Sequence, residues 1–229
     1  RDLHSFPTRR SSDLTVEKID QRVLFVDREN KGALLESVLQ DETIEKALVF
    51  ARTKHGANRI VKNLSRARIK ADAIHGNKSQ SARMEALERF RAGKVRVLVA
   101  TDIASRGLDV EGITHVINYE LPNEAESYVH RVGRTARAGA FGVALSFCDA
   151  GEKGYLRQIE KTINRTVNVV DDHPYHSESI ASKRTSENSR GGRKFSSRRY
   201  GNHTASRPSG KPGKRSEEHT SELQSHLNL

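Results

Sequence analysis

Two arginines in the second half of the chain, Arg134 and Arg137, are spaced to act on one anion. They lie in the stretch HRVGRTARAG, residues 130–139. If the helix that begins this stretch continues through it, residues three apart share a face. Two guanidiniums held together require an anion of high charge, and a γ-phosphate during its transfer is the usual one. A surface arginine cluster paired with carboxylates is the alternative. Gly133 and Gly139 favour the phosphate, because glycine permits close backbone approach.

A second stretch, ATDIASRGLD at residues 100–109, follows an apolar run. A strand that ends in small and hydroxylated residues such as Thr101 presents backbone N–H groups and hydroxyls, which can hold phosphate oxygens. Asp109 suits a sugar hydroxyl. The alternative is an ordinary turn between a strand and a helix, with Asp102 as the helix cap.

Apolar runs and helical patterns alternate through the chain and would position both stretches. The runs predict six strands, at residues 22–26, 46–51, 71–74, 95–101, 114–119 and 142–148. Four of them are nearly continuous in Val, Ile, Leu and Phe, as in sheets covered on both faces. Apolar stripes predict three helices between the strands, carried by Ala57, Ile60, Val61 and Leu64, by Met84, Leu87 and Phe90, and by Leu156, Ile159 and Ile163.

Two capping-box patterns mark further helix starts, at Asn123 with Glu126 and at Asp149 with Glu152. The alternation predicts an α/β fold with a parallel sheet and helices on both faces. In such folds ligands bind beyond the carboxyl ends of the strands. We therefore expect the site at residues 52–53, 75–76 and 101–109 and after residue 119.

The positive charge is concentrated in a tail. The chain carries a formal net charge of +11. Residues 15–179 hold 26 Lys and Arg against 23 Asp and Glu, a net of +3, whereas residues 180–214 hold ten against one, a net of +9. Beyond residue 171 the composition predicts a disordered basic tail whose few aromatics suit stacking on unpaired bases; a merely solvated tail is the alternative.

Composition also excludes several classes of protein. The single cysteine, Cys148, rules out an internal disulfide framework and a cysteine-rich metal site. No apolar run approaches the ~18 residues of a membrane span, so we expect a protein of the cytoplasm. Residues 1–14 and 215–229 resemble translated sequencing-adapter sequence and are excluded from the fold. The predicted domain is residues 15–171 and the tail is residues 172–214.

Four motifs occur in the order and spacing seen in the second RecA-like domain of DEAD-box RNA helicases. They are LVFART, IHG with QSAR, ATDIASRGLD and HRVGRTARAG, and the resemblance extends over about residues 16–170. The stretches KHGANRI, IHGNKSQ and INYELPNEAESYVHR are most similar to the bacterial RhlE-like subgroup. The resemblance implies a RecA-like sheet and ATP-dependent action on RNA.

The resemblance also implies roles for single residues. Arg134 and Arg137 resemble the family's γ-phosphate arginines, which makes them the catalytic candidates, and His130 resembles the histidine that couples ATP state to the opposite domain. Gly107 and Asp109 resemble residues near the nucleotide. The residues that resemble the family's RNA-backbone contacts are Thr53, Gly76, Arg83 and Thr101. Ala136 stands where many members have glycine.

The sequence contains no G-x-x-x-x-G-K-[ST] phosphate loop and no Asp-Glu-Ala-Asp segment. In the family these belong to the first RecA-like domain, which holds Mg²⁺ and the β-phosphate of ATP. We therefore expect a catalytically incomplete fragment whose partners are single-stranded or short-duplex RNA and the missing N-terminal domain; its oligomeric state stays open. The alternatives are a non-catalytic RNA-binding or partner-docking module, a DNA helicase of the same superfamily, and a plain nucleotide-binding domain.

Overall fold

The computed structural model describes residues 19–105, 110–136 and 141–182. Three of the predicted site residues, Gly107, Asp109 and Arg137, lie outside the described residues. So do both adapter-like segments and the basic tail from residue 183 onward.

Seven parallel strands form one sheet in the order β3-β4-β2-β5-β6-β1-β7. The strands are β1 (Ile19–Phe25), β2 (Ala47–Phe50), β3 (Ala71–Ile74), β4 (Val97–Ala100), β5 (His115–Asn118), β6 (Gly142–Cys148) and β7 (Asn168–Val169). Every residue of β2 and β4 is buried, because helices cover both faces of the sheet there. This arrangement confirms the predicted α/β fold class.

In the described parts of the chain, six α-helices connect the strands. They are α1 (Lys31–Leu39), α2 (Lys54–Arg66), α3 (Gln80–Arg91), α4 (Asp102–Ser105), α5 (Ala125–Val132) and α6 (Lys153–Thr162). Short 3-10 turns precede α1 and α6. Side chains of α1 and α2 pack on one face of the sheet with Val49, Val99 and Leu145. Those of α3 pack on the other face with Leu48 and Leu98, and those of α5 and α6 with Val23 and Ala144.

Most of the predicted elements are present, with shorter bounds for several strands. The capping box at Asp149 and Glu152 is confirmed. The one at Asn123 is wrong, because Glu124 is the N-cap of α5 and its side chain makes no capping hydrogen bond. Met84 is 43% exposed rather than part of the core, and Ala86 takes the buried position on α3.

The fold also continues past residue 171, where the sequence analysis placed the start of the tail. The N–H of Ser177 donates to the carbonyl of Phe25 at 3.0 Å, and Val26 forms an antiparallel bridge with His176. Ile180 is 3% exposed, and its carbonyl accepts from Lys153 Nζ at 2.6 Å. The segment is held by separate contacts at single residues. Its sequence therefore needs no repeating apolar pattern, which is the signal by which an element is recognised in a sequence.

Among the described residues, no helix combines the length and apolarity needed to cross a membrane.

Candidate functional site

Three of the predicted RNA contacts follow neighbouring strands at the carboxyl edge of the sheet. Thr53 follows β2, Gly76 follows β3 and Thr101 follows β4, and these strands are adjacent in the order β3-β4-β2. Parallel strands end at the same edge, so the three loops lie side by side. We call this group, together with Arg83, the carboxyl-edge cluster.

Thr53 lies at the start of α2 because its side chain caps the helix. Thr53 Oγ1 accepts a hydrogen bond from the N–H of Gly56 at 3.0 Å, and the extended backbone of Thr53 (φ −126°, ψ 153°) is typical of an N-cap. The preceding residue is held from another strand end, since the N–H of Arg52 donates to Glu120 Oε2 at 2.7 Å. The Thr53 backbone is thus fixed from both sides.

Gly76 and Thr101 differ in how open they are. A side chain added at Gly76 would meet no atom within 4 Å, so its backbone faces open space. Thr101 is 9% exposed, and its N–H donates to the carbonyl of Ile74 at 3.3 Å. The sheet therefore already uses one of the N–H groups that the sequence analysis assigned to phosphate binding.

Arg83, on the first turn of α3, reaches back towards α4. Its guanidinium makes two long hydrogen bonds, one to Gln80 Oε1 and one to the carbonyl of Ala104, both at 3.5 Å. Hydrogen bonds of this length are weak, and the side chain is half-buried, so the guanidinium can exchange them for contacts with a ligand.

A buried histidine and several cations surround the carboxyl-edge cluster. His75 is 4% exposed, and its Nε2 lies 3.0 Å from Asn58 Oδ1. Burial is the main cause that lowers the pKa of His75, and Lys78, Lys54 and His55 lower it further. The effect of these neighbours shows that positive charge gathers beside Gly76, as a site for a polyanion requires.

A buried carboxylate that the sequence analysis identified only as part of a capping box supports the same edge. Glu152 accepts hydrogen bonds from Lys31 Nζ, from Arg52 Nη2 at 3.0 Å and from the N–H of Leu121 at 3.1 Å. Burial raises the pKa of this carboxyl, and Lys31 opposes the rise. Glu152 thereby ties the loops after β1, β2, β5 and β6 into one frame.

Arg131 is the second residue that sequence reasoning missed. It is 2% exposed on the last turn of α5, yet its side chain reaches the carboxyl edge. Nε and Nη2 donate to the two carboxylate oxygens of Asp102 at 2.6 and 2.8 Å, and Nη1 donates to Asn118 Oδ1 at 3.1 Å and to the carbonyl of Glu120 at 2.7 Å. The guanidinium also lies over the ring of Phe50 at 4.9 Å. Asp102 is therefore the anchor of Arg131 rather than the helix cap considered in the sequence analysis.

The predicted γ-phosphate arginine Arg134 lies away from the carboxyl edge. Helix α5 ends at Val132 and Arg134 stands in a turn, so the condition under which Arg134 and Arg137 would share a helical face is not met. The next residue explains the place of the turn. Thr135 Oγ1 donates to the carbonyl of Ile113 at 2.6 Å, just before β5 begins. The arginine turn, residues 133–136, accordingly lies at the amino ends of β5 and β6.

Two backbone features make this turn possible. A side chain at Gly142, the first residue of β6, would stand 2.3 Å from Thr135 Oγ1, so only glycine fits. Ala136 has φ +55°, a left-handed conformation that costs a residue with a side chain about 1–2 kcal/mol. This conformation gives a physical reason for the glycine that many relatives carry at the position of Ala136.

His130 is exposed on α5, ahead of the arginine turn.

A cavity of about 700 Å³ lies elsewhere, lined by residues that include Leu34, His115, Val143 and Val170. None of the described site residues lines it. The described members of the predicted site form two surface groups, the carboxyl-edge cluster and the arginine turn. Such surfaces suit ligands that a second domain or a long polymer covers.

Comparisons with known proteins agree with this fold. The helicase conserved C-terminal domain family matches residues 30–139. The DEAD-box ATP-dependent RNA helicase CshA of Bacillus subtilis is 43% identical over 163 residues, which are 71% of this chain and 33% of that protein. The chain therefore spans about a third of the length of the curated relatives that it matches.

Solved structures give the same result. The E. coli DEAD-box protein SrmB, bound to regulator of ribonuclease activity A, matches with a TM-score of 0.65 and 32% identity, over 70% of this chain and 95% of that chain. S. cerevisiae Dbp5, bound to RNA and ADP BeF3, matches with a TM-score of 0.65 and 28% identity, over 70% of this chain and 44% of that chain. A parallel RecA-like sheet with these strand ends defines a helicase C-terminal domain. The chain belongs to the DEAD-box RNA helicase family and contains its C-terminal domain.

Proposed function

We propose that the chain acts as the second RecA-like half of an ATP-dependent RNA helicase, where it supplies part of an RNA-backbone site and the arginines of an ATP site. The observation that carries the proposal is the placement of Thr53, Gly76 and Thr101 at three adjacent strand ends beside a group of cations. Main-chain and hydroxyl groups in this arrangement contact sugar and phosphate, which are the same for every base. RNA binding by this group is expected to be independent of sequence.

Arg134 and Arg137 would hold the γ-phosphate of ATP, and Gly107 and Asp109 would contact the nucleotide. An arginine beside a γ-phosphate neutralises the charge that develops during its transfer. The chain has no phosphate loop of its own, so Mg²⁺ and the β-phosphate would be held by a first domain. We therefore expect the chain alone not to hydrolyse ATP. Dbp5, which is bound to RNA and ADP BeF3, supports the idea that such a domain acts with both ligands.

In the proposed mechanism, ATP and single-stranded RNA close two domains around both surfaces. The arginine turn then completes the ATP site, while the carboxyl-edge cluster holds the RNA backbone. His130 is exposed on α5, ahead of the arginine turn, and would transmit the state of the nucleotide to the opposite domain. Closure of this kind gates the chemistry, because neither surface is complete before it.

The test is a fusion in which a DEAD-box first domain precedes residue 16. We expect RNA-stimulated ATP hydrolysis by the fusion and none by the chain alone. Arg134→Ala in the fusion should lower turnover by about 10³-fold and leave RNA affinity unchanged. Arg83→Gln should weaken RNA binding and raise the RNA concentration needed for half-maximal ATPase activity. A correctly folded fusion without RNA-stimulated ATPase would overturn the proposal.

A second candidate is a non-catalytic RNA-binding module, favoured by the net charge of +9 in residues 180–214. It predicts that the tail supplies most of the affinity and that binding weakens steeply with salt. The test measures how steeply RNA affinity falls with salt concentration, for the full chain and for a variant with the tail arginines replaced by glutamine. Equal slopes exclude the tail as the main binding segment.

We also propose two finer assignments, the RhlE-like subgroup and a location in the cytoplasm. The first rests on the stretches KHGANRI, IHGNKSQ and INYELPNEAESYVHR, and the second on a single buried cysteine, Cys148. A tree of complete relatives that groups residues 16–170 with CshA proteins would contradict the first. Fractionation that finds the whole protein outside the cytoplasm would contradict the second.

A further inference from the structure

We propose that the exposed basic face of α2 is a second RNA-backbone surface, which continues the carboxyl-edge cluster down the flank of the domain. We call this face, formed by Arg59, Lys62 and Arg66, the α2 stripe. The inference rests on the proposed function, because it extends the same RNA path beyond the residues that resemble the family's RNA-backbone contacts.

The three cations of the α2 stripe lie on one side of the helix. Their spacing of three and four residues places them in one row, opposite Ala57, Ile60 and Leu64, which are buried. All three are exposed. Within the described residues, no carboxylate lies close enough to form an ion pair with any of them. At 1.5 Å per residue the row is about 10 Å long.

The charge of the folded part is carried by this region. Residues 54–71 contain six Lys and Arg and no Asp or Glu. The remainder of residues 15–179 then holds 20 Lys and Arg against 23 Asp and Glu, a net of −3. Positive charge gathered on one helix and the short segment after it, in an otherwise slightly acidic domain, is the pattern of a polyanion surface.

Arg66, in the last turn, is favoured by the helix dipole, but two other features of the charge oppose the stability of the helix. The first turn of α2 has no acidic residue and begins with Lys54 and His55, although the positive end of the helix dipole favours acids there. Lys62 and Arg66 are four residues apart, where like charges repel. Cations that weaken their own helix are expected where they bind a partner.

The position and polarity of the face select RNA as that partner. Helix α2 begins directly after Thr53, so the α2 stripe leads away from the carboxyl-edge cluster. Between its cations the exposed face offers only polar residues, such as Asn58 and Ser65. Protein partners bind patches with an apolar centre, which this face lacks. A strand of RNA that leaves the carboxyl edge would meet the three cations in turn.

The experiment compares two charge-matched variants of the full chain. One replaces the α2 stripe (Arg59→Gln, Lys62→Gln, Arg66→Gln), and the control replaces three exposed cations elsewhere (Lys94→Gln, Lys161→Gln, Arg165→Gln). Fluorescence anisotropy measures binding of oligouridylates of six and of 20 nucleotides at several salt concentrations. Thermal melting of both variants establishes that they are folded.

We expect the stripe variant to bind the 20-nucleotide RNA about tenfold more weakly at low salt, with a salt slope smaller by about 2. Its binding of the six-nucleotide RNA should change by less than twofold, and the control should change neither RNA by more than twofold. Stripe and control variants that bind the 20-nucleotide RNA equally well would overturn the inference.

A footprint of lysine reactivity identifies the partner directly. We expect the 20-nucleotide RNA to protect Lys62 from acetylation and to leave Lys94 reactive. Protection of Lys62 by polyglutamate but not by RNA would overturn the inference in favour of an acidic protein. The proposed function has a separate outcome, since it fails if Arg83→Gln leaves binding of the six-nucleotide RNA unchanged.

Discussion

The carboxyl-edge cluster and the arginine turn lie at opposite edges of the same sheet, beside different strands, and are built by different means. The cluster comes from loops that leave three adjacent strands, so the order of the sheet alone brings Thr53, Gly76 and Thr101 together. The arginine turn has no such support. It is held by the hydroxyl of Thr135 and by the absence of a side chain at Gly142. A site built on topology tolerates substitution of its residues, whereas a site built on one clamp depends on each part.

Arg131 joins the two regions, and its removal should have the largest effect. Arg131→Ala deletes four hydrogen bonds from a guanidinium that is 2% exposed. Breaking a buried pair usually costs 3–5 kcal/mol. Asp102 is 37% exposed, so solvent screens part of the loss and we expect about 3 kcal/mol. Urea unfolding of the chain measures this value.

The control for Arg131 is its neighbour in the turn. Arg134→Ala, in the same assay, should change the free energy of unfolding by less than about 1 kcal/mol, because Arg134 is half-buried in a turn. Equal losses for the two variants would contradict the division into a structural arginine and a binding arginine.

Gly142→Ala tests whether the arginine turn depends on its clamp. The added methyl group would stand 2.3 Å from Thr135 Oγ1 and 2.8 Å from the N of Ala136, so the turn must move. Overpacking of this kind costs about 1–3 kcal/mol. In the fusion with a first domain, the displaced turn should also reduce ATP turnover while RNA affinity is retained.

Gly154 provides the matched control, since a side chain there meets nothing within 4 Å and the residue is helical. Gly154→Ala should stabilise the chain by about 0.5–1 kcal/mol. If Gly142→Ala behaves like Gly154→Ala, the clamp does not hold the turn.

The smallest expected effect concerns pH and tests the buried histidine of the carboxyl edge; burial also lowers the pKa of His115 and His173 elsewhere in the domain. Burial holds the pKa of His75 below 6.5, so the unfolded chain takes up a proton more readily than the folded chain. Stability from neutral His75 is fully present above about pH 6.5 and is lost as the pH falls below it. His75→Gln should flatten this dependence between pH 7 and 5.5 in urea unfolding.

His55→Gln is the comparison for His75, because His55 is exposed in the same group of cations. Burial, the main cause that lowers the pKa of His75, remains in this variant, so its pH profile should stay close to that of the unsubstituted chain. A flattened profile for His55→Gln, or an unchanged one for His75→Gln, would remove His75 as the source of the dependence.

The sequence allowed the sheet to be predicted because four of its strands are nearly continuous apolar runs, as burial on both faces of the sheet requires. Strand β7 could not be predicted, since it comprises only Asn168 and Val169 at an exposed edge. The carboxyl-edge cluster followed from the rule for parallel sheets. The place of the arginine turn could not be predicted from that rule. Helix α5 stops at Val132, and the hydroxyl of Thr135 then fixes the chain at the amino edge of the sheet.

Arg131 was missed because a charged residue in a sequence is taken as exposed. A signal was present, however. Arg131 is three residues after Tyr128, on the buried face of α5, and a cation at a core position requires a buried acceptor. Lys31 and Glu152 are a similar case, in which two charges far apart in the chain are both buried. Without the fold, no local pattern identifies such a pair.

The parallel register of β1 and β6 has a consequence for joining domains. Ile19, the first residue of β1, pairs with Gly142, which in turn contacts Thr135. A domain attached ahead of Ile19 would therefore enter beside the arginine turn. A short flexible tether at that point keeps the attached domain at an effective local concentration in the millimolar range, so two weakly associating surfaces would meet repeatedly without tight affinity for one another.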